Sequence, residues 1–270
     1  MPDKTGYRTM LDGHHATKLE LSPLAFSGFA HFTAMQIRNG AVRGLDLHLE
    51  RLREASKSLF GQAHSDDEVR EILRAAVAEG PSDLSLTATV FSRSGEFRPA
   101  GSGKDLGLLV RTAPPANGPD GPLRLDVVRH DRQMAEIKHV GEGSKTYYLR
   151  RAISNGFDDA AYIDAERCLS EATIWNLAFW DGESVIWPEA AILRGVTMQI
   201  LTRQLSAGGV SQKQVRVALE SVRNFEAGVV MNSWTPGIAI AAIGSTPMDR
   251  ESSFLRLLQK AYEQEPAIPI

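Results

Sequence analysis

The chain has one cysteine, Cys168, in 270 residues. That excludes an intramolecular disulfide and fits a reducing compartment. No apolar run approaches the roughly 20 residues of a membrane-spanning helix. The opening MPDKTGYRTMLDGHH lacks the continuous apolar stretch of a signal peptide. The expectation is a cytoplasmic protein with no membrane partner. Charge of neither sign accumulates: 30 Lys and Arg stand against 33 Asp and Glu, a net charge of −3. With no charge block and no basic stripe, no nucleic-acid partner is expected. His14-His15, His64 and His130 are scattered without ligand spacing, so no metal is expected. What remains is an ordinary globular composition, 43% hydrophobic and 23% charged, long enough for one large domain or two smaller ones.

Residues 1 to about 20 read as a loosely held arm. Phe26 to Arg38 is rich in aromatic and branched residues and is followed by Asn39-Gly40, which predicts a strand, a tight turn and a short strand. Apolar positions Leu45, Leu49, Leu52, Ala55 and Leu59 predict an amphipathic helix that Gly61 ends. An acidic start at Ser65-Asp66-Asp67 predicts a second helix to Glu79. Strands are expected at 84–91 and 106–111. The run Pro114 to Pro122 is the clearest linker. It divides residues 1–113, a smaller α+β domain, from residues 123–270, a larger one.

Beyond the linker, a strand at 123–129 runs towards Lys138. A helix capped by Ser144 or Thr146 extends through Ser154, with Gly156 ending it. Strands follow at 160–163, 173–179 and 184–187, with Pro188 beginning a turn. A helix after Gly195 stops at Gly208-Gly209. Strands at 215–218, 228–231 and 238–243 precede a closing helix at 252–263. Short strands with segregated helices indicate an α+β fold.

Lys138 lies in Met134-Ala135-Glu136-Ile137-Lys138-His139-Val140, an apolar setting for one of only eight lysines. Burial among apolar neighbours is the usual way to make an amine neutral and reactive. A lysine snorkelling from a strand end is the alternative from these residues alone.

Five motifs in order extend the reading: His48-Leu49-Glu50-Arg51-Leu52, Lys138, Gly156-Phe157-Asp158-Asp159-Ala160, Leu169-Ser170-Glu171 with Asn176, and Leu193-Arg194-Gly195-Val196-Thr197. Together, over roughly residues 24 to 245, they resemble the class IV aminotransferases. These are fold-type IV pyridoxal 5′-phosphate enzymes, which include branched-chain and D-amino acid transaminases and aminodeoxychorismate lyase. The resemblance implies a two-domain, D-amino acid aminotransferase-like fold with Lys138 as the Schiff-base lysine, in the C-terminal domain. Lys145 is the rival, but the family signature puts the lysine on the strand end before the helix. Lys138 also stands 33 positions before Glu171, close to the family's spacing.

By the same resemblance Glu171 faces the pyridine nitrogen, Asn176 braces its loop, and Arg51 binds phosphate, in competition with Arg43 and Arg53. Val196 and Thr197 add backbone N–H groups at a helix N-terminus. Ser233 and Trp234 belong to a late polar turn, in which Trp234 replaces a small or hydroxylated residue. Arg98 is a candidate for a substrate carboxylate or a solvated loop residue, and His139 a candidate for tuning the pocket. Trp175, Trp180 and Trp187 read as core aromatics.

The chain also departs from the family. Glu142 stands near the place of the branched-chain enzymes' tyrosine, with Tyr147 and Tyr148 coming later. Met198 stands where arginine commonly follows Gly-Ile-Thr. Phe32-Thr33-Ala34 resembles the lyase's Phe-Thr-Thr, with Ala34 at the second threonine. The implied function is aminotransfer between an amino acid and a 2-oxo acid by a homodimer. The alternatives are aminodeoxychorismate lyase, supported by Lys138-His139 and Asn232-Ser233, and a non-catalytic homologue that binds ligand.

Overall fold

A computed structural model describes residues 6–78, 80–97, 105–248 and 252–270, which form two compact units. Arg98 and Glu79 lie outside the described residues. The first unit holds the described residues up to Ala116 together with Ile137–Glu142 and Ala267–Ile270. The second holds Asn117–Glu136 and Gly143–Pro266.

In the first unit the elements are β1 (Thr9–Leu11), β2 (His14–His15), α1 (Lys18–Leu21), β3 (Ala30–Ile37), β4 (Ala41–Arg43), α2 (Leu45–Phe60), α3 (Asp66–Val77), β5 (Leu84–Ser92) and β6 (Leu106–Ala113). Of the stretch expected to be a loose arm, the described part from Gly6 onwards is built in. β1 pairs with β6, and Met10 and Leu11 are buried, so two apolar residues in a polar stretch suffice to anchor it. Asn39 and Gly40 both take positive φ (52° and 72°), as a two-residue hairpin between β3 and β4 requires. Ser65 and Glu68 form a capping box on α3, which ends at Val77. One face of α2 (Leu45, Leu49, Leu52) packs with Leu73 of α3 onto Met35, Leu86 and Leu108 of the sheet.

This sheet has the order β2-β1-β6-β5-β3 among the described residues, which leaves β3 at an edge. The segment around Lys138 covers that edge. Phe32 N–H donates to Lys138 O (2.9 Å) and Val140 N–H to Ala30 O (2.7 Å), with His31 and His139 opposite one another. An open strand edge presents unpaired N–H and C=O groups, and this segment answers them. Lys138 therefore belongs to the first unit, not to the C-terminal body in which the sequence reading put it.

The second unit comprises β7 (Leu123–Arg129), α4 (Gly143–Ser154), β8 (Asp159–Ile163), β9 (Cys168–Ala172), β10 (Asn176–Trp180), β11 (Val185–Pro188), α5 (Val196–Ala207), β12 (Gln212–Val215), β13 (Val217–Ala218), β14 (Ala227–Asn232), β15 (Thr235–Ile243), β16 (Thr246–Pro247) and α6 (Ser252–Gln264). A last strand, β17 (Ala267–Pro269), pairs with β4 in the first unit. The large sheet runs β12-β11-β10-β14-β15-β7-β8-β9-β13, with β16 beside β15.

Central strands of this sheet are buried on both faces. Leu177 and Phe179 of β10 face one core, while Ala178 joins Met198, Leu201, Phe254 and Leu258 of α5 and α6 in another. That is why these strands read as continuous apolar runs. α4 begins at Gly143, so Ser144 and Thr146 lie within it rather than capping it. The strand expected at 173–179 is instead a turn at 173–175 followed by β10, and Glu171 sits on the preceding strand β9.

Leu49 is 2% exposed at the centre of the first unit's core. Leu49→Ala is expected to cost about 2–5 kcal/mol, read as a lower urea midpoint with an unchanged m-value.

Candidate active site

In the first unit, α2 presents His48 and Arg51 three residues apart on one side of the helix. His48 Nδ1 is hydrogen-bonded to Thr33 Oγ1 at 2.6 Å, and both side chains are buried. Burial first of all pushes the His48 ring down to about 3; the Arg51 and Lys138 charges push the same way and Asp46 opposes them. Neutral His48 thus stands within reach of two cations. The ammonium of Lys138 lies 4.9 Å from the centroid of the Phe32 ring, a cation–π contact. Phe32 and Ala34 share one face of β3, while Thr33 and Met35 turn into the core. Arg53, the nearest competitor of Arg51, is held by both Asp66 oxygens at 2.7 and 2.8 Å.

After Lys138, His139 Nε2 lies 3.5 Å from Glu142 Oε1, with both side chains largely buried. Gly141 runs against Gly28: a Cβ there would stand 3.0 Å from the Gly28 carbonyl oxygen. Tyr148 has aromatic partners of its own. It packs in the second unit against His130 and Tyr162, and Tyr147 is exposed.

In the second unit, Glu171, Asn176, the turn before α5 and the turn after β14 are knitted together. Asn176 Nδ2 donates to Leu193 O (2.7 Å), and its Oδ1 accepts from Gly195 N–H (3.0 Å). Gly195 is required by that approach, because a Cβ there would lie 2.2 Å from Asn176 Oδ1. Thr197 Oγ1 donates to Asn232 O (2.7 Å), which ties the first turn of α5 to Asn232-Ser233-Trp234. α5 starts without a side-chain cap. Trp234 stands edge-on to buried Trp175, their centroids 5.7 Å apart. Met198 packs into the core beside α6.

Glu171 is buried and takes an ion pair from Arg132 Nη1 at 2.8 Å. Burial raises its carboxyl above the usual range; Arg132, and then Lys145, work against the rise. Asp159, also raised by burial, accepts from Thr173 Oγ1 (2.6 Å), Trp175 Nε1 (2.8 Å) and Ala160 N–H (2.6 Å), fixing the turn between β9 and β10. A separate cavity of about 250 Å³ is lined by Ala135, Trp187, Ile192, Arg194 and Met198 among others, and includes neither Glu171 nor Asn176. Among the described residues no cluster of His, Cys, Asp and Glu is arranged to hold a metal ion.

A family model described as amino-transferase class IV matches residues 30–243. The chain belongs to the class IV aminotransferases. It is thereby a pyridoxal-phosphate-dependent enzyme. This class IV aminotransferase is 24% identical over 213 residues to a "probable branched-chain-amino-acid aminotransferase" of Rickettsia felis, covering 75% of this chain and 73% of that one. Its fold matches the branched-chain aminotransferase of Thermoproteus uzoniensis, solved with norvaline, with a TM-score of 0.83 at 19% identity over 94% of this chain and 93% of that one. A protein of Legionella pneumophila assigned as a 4-amino-4-deoxychorismate lyase matches with a TM-score of 0.78 at 18% identity, over 88% and 92% of the two chains.

Sequence reasoning missed two residues that hold Glu171 and the turn after it. Arg132 carries no pattern in His130-Asp131-Arg132-Gln133, and its partner is 39 positions away. Asp159 was legible only as part of the Gly-Phe-Asp-Asp motif; two of its three donors come from a turn read as strand.

The ring of His48 generates a pH prediction. Its folded value, about 3, lies below the ordinary 6.5, so below pH 6.5 the unfolded chain binds a proton that the folded chain refuses. Its contribution is complete above pH 6.5 and falls by about 1.4 kcal/mol per unit as pH drops towards 3. The loss of urea midpoint between pH 7 and pH 4.5 is expected to be smaller in His48→Gln than in wild type. Equal losses would show that the ring is not held neutral.

Proposed function

We propose that this enzyme transfers an amino group between an amino acid and a 2-oxo acid, with Lys138 as the residue that holds the cofactor. The observation that carries the reading is the grouping of Lys138, Arg51 and neutral His48 in one unit, with Lys138 fixed through its own carbonyl to β3. A backbone anchor leaves the side chain to react while the main chain stays in register.

The residues fit pyridoxal phosphate. α5 begins without a side-chain cap, and the N–H groups of a helix's first turn, here those of Val196 and Thr197, have no partner within the helix and form an anion site. Ser233 and Trp234, tied to that turn through Asn232, border it. The Arg51 guanidinium matches phosphate oxygens. Glu171 would face the ring nitrogen, with Asn176 holding the turn beside it. When bound, the cofactor supplies an electron sink for charge developing at the substrate Cα. The Lys138 amine then takes and returns the Cα proton. The named neighbours direct the first substrate screen to aliphatic amino acids. A second copy of the chain is the expected partner, and light scattering of the purified protein tests it.

Lyase chemistry is the second reading, favoured by Lys138-His139 and Asn232-Ser233. Ala34 opposes it: its methyl group occupies the same face of β3 as Phe32, over which Lys138 lies, where the lyase pattern has a hydroxyl.

Lys138→Ala is expected to abolish the visible absorbance band of the protein with pyridoxal phosphate, and Lys145→Ala to retain it. Borohydride treatment followed by peptide mass spectrometry should mark Lys138. A band and a mark that survive in Lys138→Ala would move the assignment to Lys145. Cofactor binding without turnover on any amino donor or on aminodeoxychorismate would leave a binding protein.

A further inference from the structure

We propose that Arg132 is the positioning residue for Glu171, fixing one carboxylate oxygen and leaving the other for the ring nitrogen of the cofactor. The inference rests on Glu171 being the partner of that nitrogen.

Three features of the structure carry it. First, both side chains are almost fully buried, 3% exposed for Arg132 and 6% for Glu171. A buried ion pair stabilises a fold no better than apolar residues of similar volume, so packing alone gives no reason for one. Second, Arg132 Nη1 donates both to Glu171 Oε1 (2.8 Å) and to Ala135 O (2.7 Å). The guanidinium is thus anchored on the backbone three residues along its own segment, and it holds the carboxylate from there. Third, the two oxygens of Glu171 are treated unequally. Oε1 takes the short charged bond, whereas among the described residues Oε2 has only Leu193 N–H at 3.4 Å, at the outer limit for a hydrogen bond. One oxygen is engaged and the other keeps acceptor capacity.

The electrostatics agree. Burial drives the Glu171 carboxyl towards its protonated form, which would not keep a ring nitrogen protonated, and Arg132 is the largest influence in the other direction. Replacing Arg132 with a neutral residue removes both the orientation and the charge that opposes protonation. Lysine would restore the charge without the planar fork.

The test uses the holoenzyme of wild type, Arg132→Gln, Arg132→Lys and Glu171→Gln. Cofactor Kd is measured by fluorescence titration of the apoprotein, and the visible band and kcat are followed against pH. Arg132→Gln is expected to weaken cofactor retention and lower kcat by about 10- to 100-fold, the scale for residues that orient a ligand-holding group. KM should change little, the midpoint of the band's pH titration should move, and Arg132→Lys should recover part of each loss. If Arg132→Gln does not fold, the double variant Arg132→Gln/Glu171→Gln should fold again, because it leaves no unpaired buried charge.

Wild-type Kd, kcat and band titration in Arg132→Gln, alongside an impaired Glu171→Gln, would overturn the inference alone. So would a loss of thermal stability in Arg132→Gln with an unmoved titration, which marks a purely structural pair. A wild-type protein without a band, or a Glu171→Gln variant indistinguishable from wild type, would overturn the reading of the site and the inference with it.

Discussion

Buried polar groups must be answered within the protein, and in the second unit that constraint shapes everything around the candidate site. Asp159, Glu171 and Asn176 are each nearly inaccessible to water. Asp159 gathers three donors from the turn at 173–175 and from Ala160. Those bonds set where β9 ends and β10 begins, and therefore where Glu171 and Asn176 stand. Asn176 in turn holds Leu193 and Gly195, and Gly195 opens α5. The Asp159 carboxylate thus bears, through two turns, on where α5 starts.

The first unit meets the same demand with neutrality. Two cations, Arg51 and Lys138, act on a fully buried histidine, and a third positive charge among them would be costly. Burial keeps the ring uncharged, and the Thr33 hydroxyl satisfies one of its nitrogens. Lys138 reaches this group because its own backbone closes the open edge of β3. Closing a sheet edge and delivering a lysine are here one structural act.

Much of this was legible in the sequence because it rests on local signals. The span of α2 followed from the three-four spacing of its leucines and from Gly61, whose φ of 70° only glycine adopts freely. The hairpin at Asn39-Gly40 followed from its turn residues. What escaped depends on contacts distant in sequence. Cys168-Leu169-Ser170-Glu171-Ala172 is too short and mixed to read as a strand, and it becomes one only between β8 and β13. β1 is a strand because β6, about a hundred residues on, offers an edge. Arg132 looks like any surface arginine until Glu171 is folded beside it. The five motifs named candidate residues, but they carried no information on what supports them.

The pairing of β17 with β4 has a consequence for the order in which the chain matures. Ile268 stands opposite Val42, and Ile270 packs against the core built by α2 and α3. Everything else in the first unit is synthesised by Glu142. On a ribosome, which adds about 5–20 residues per second, that body waits several seconds for its closing strand while the second unit is still being made. The N-terminal body can assemble its helices and sheet early, but β4 gains its partner only once Ala267–Pro269 have been made.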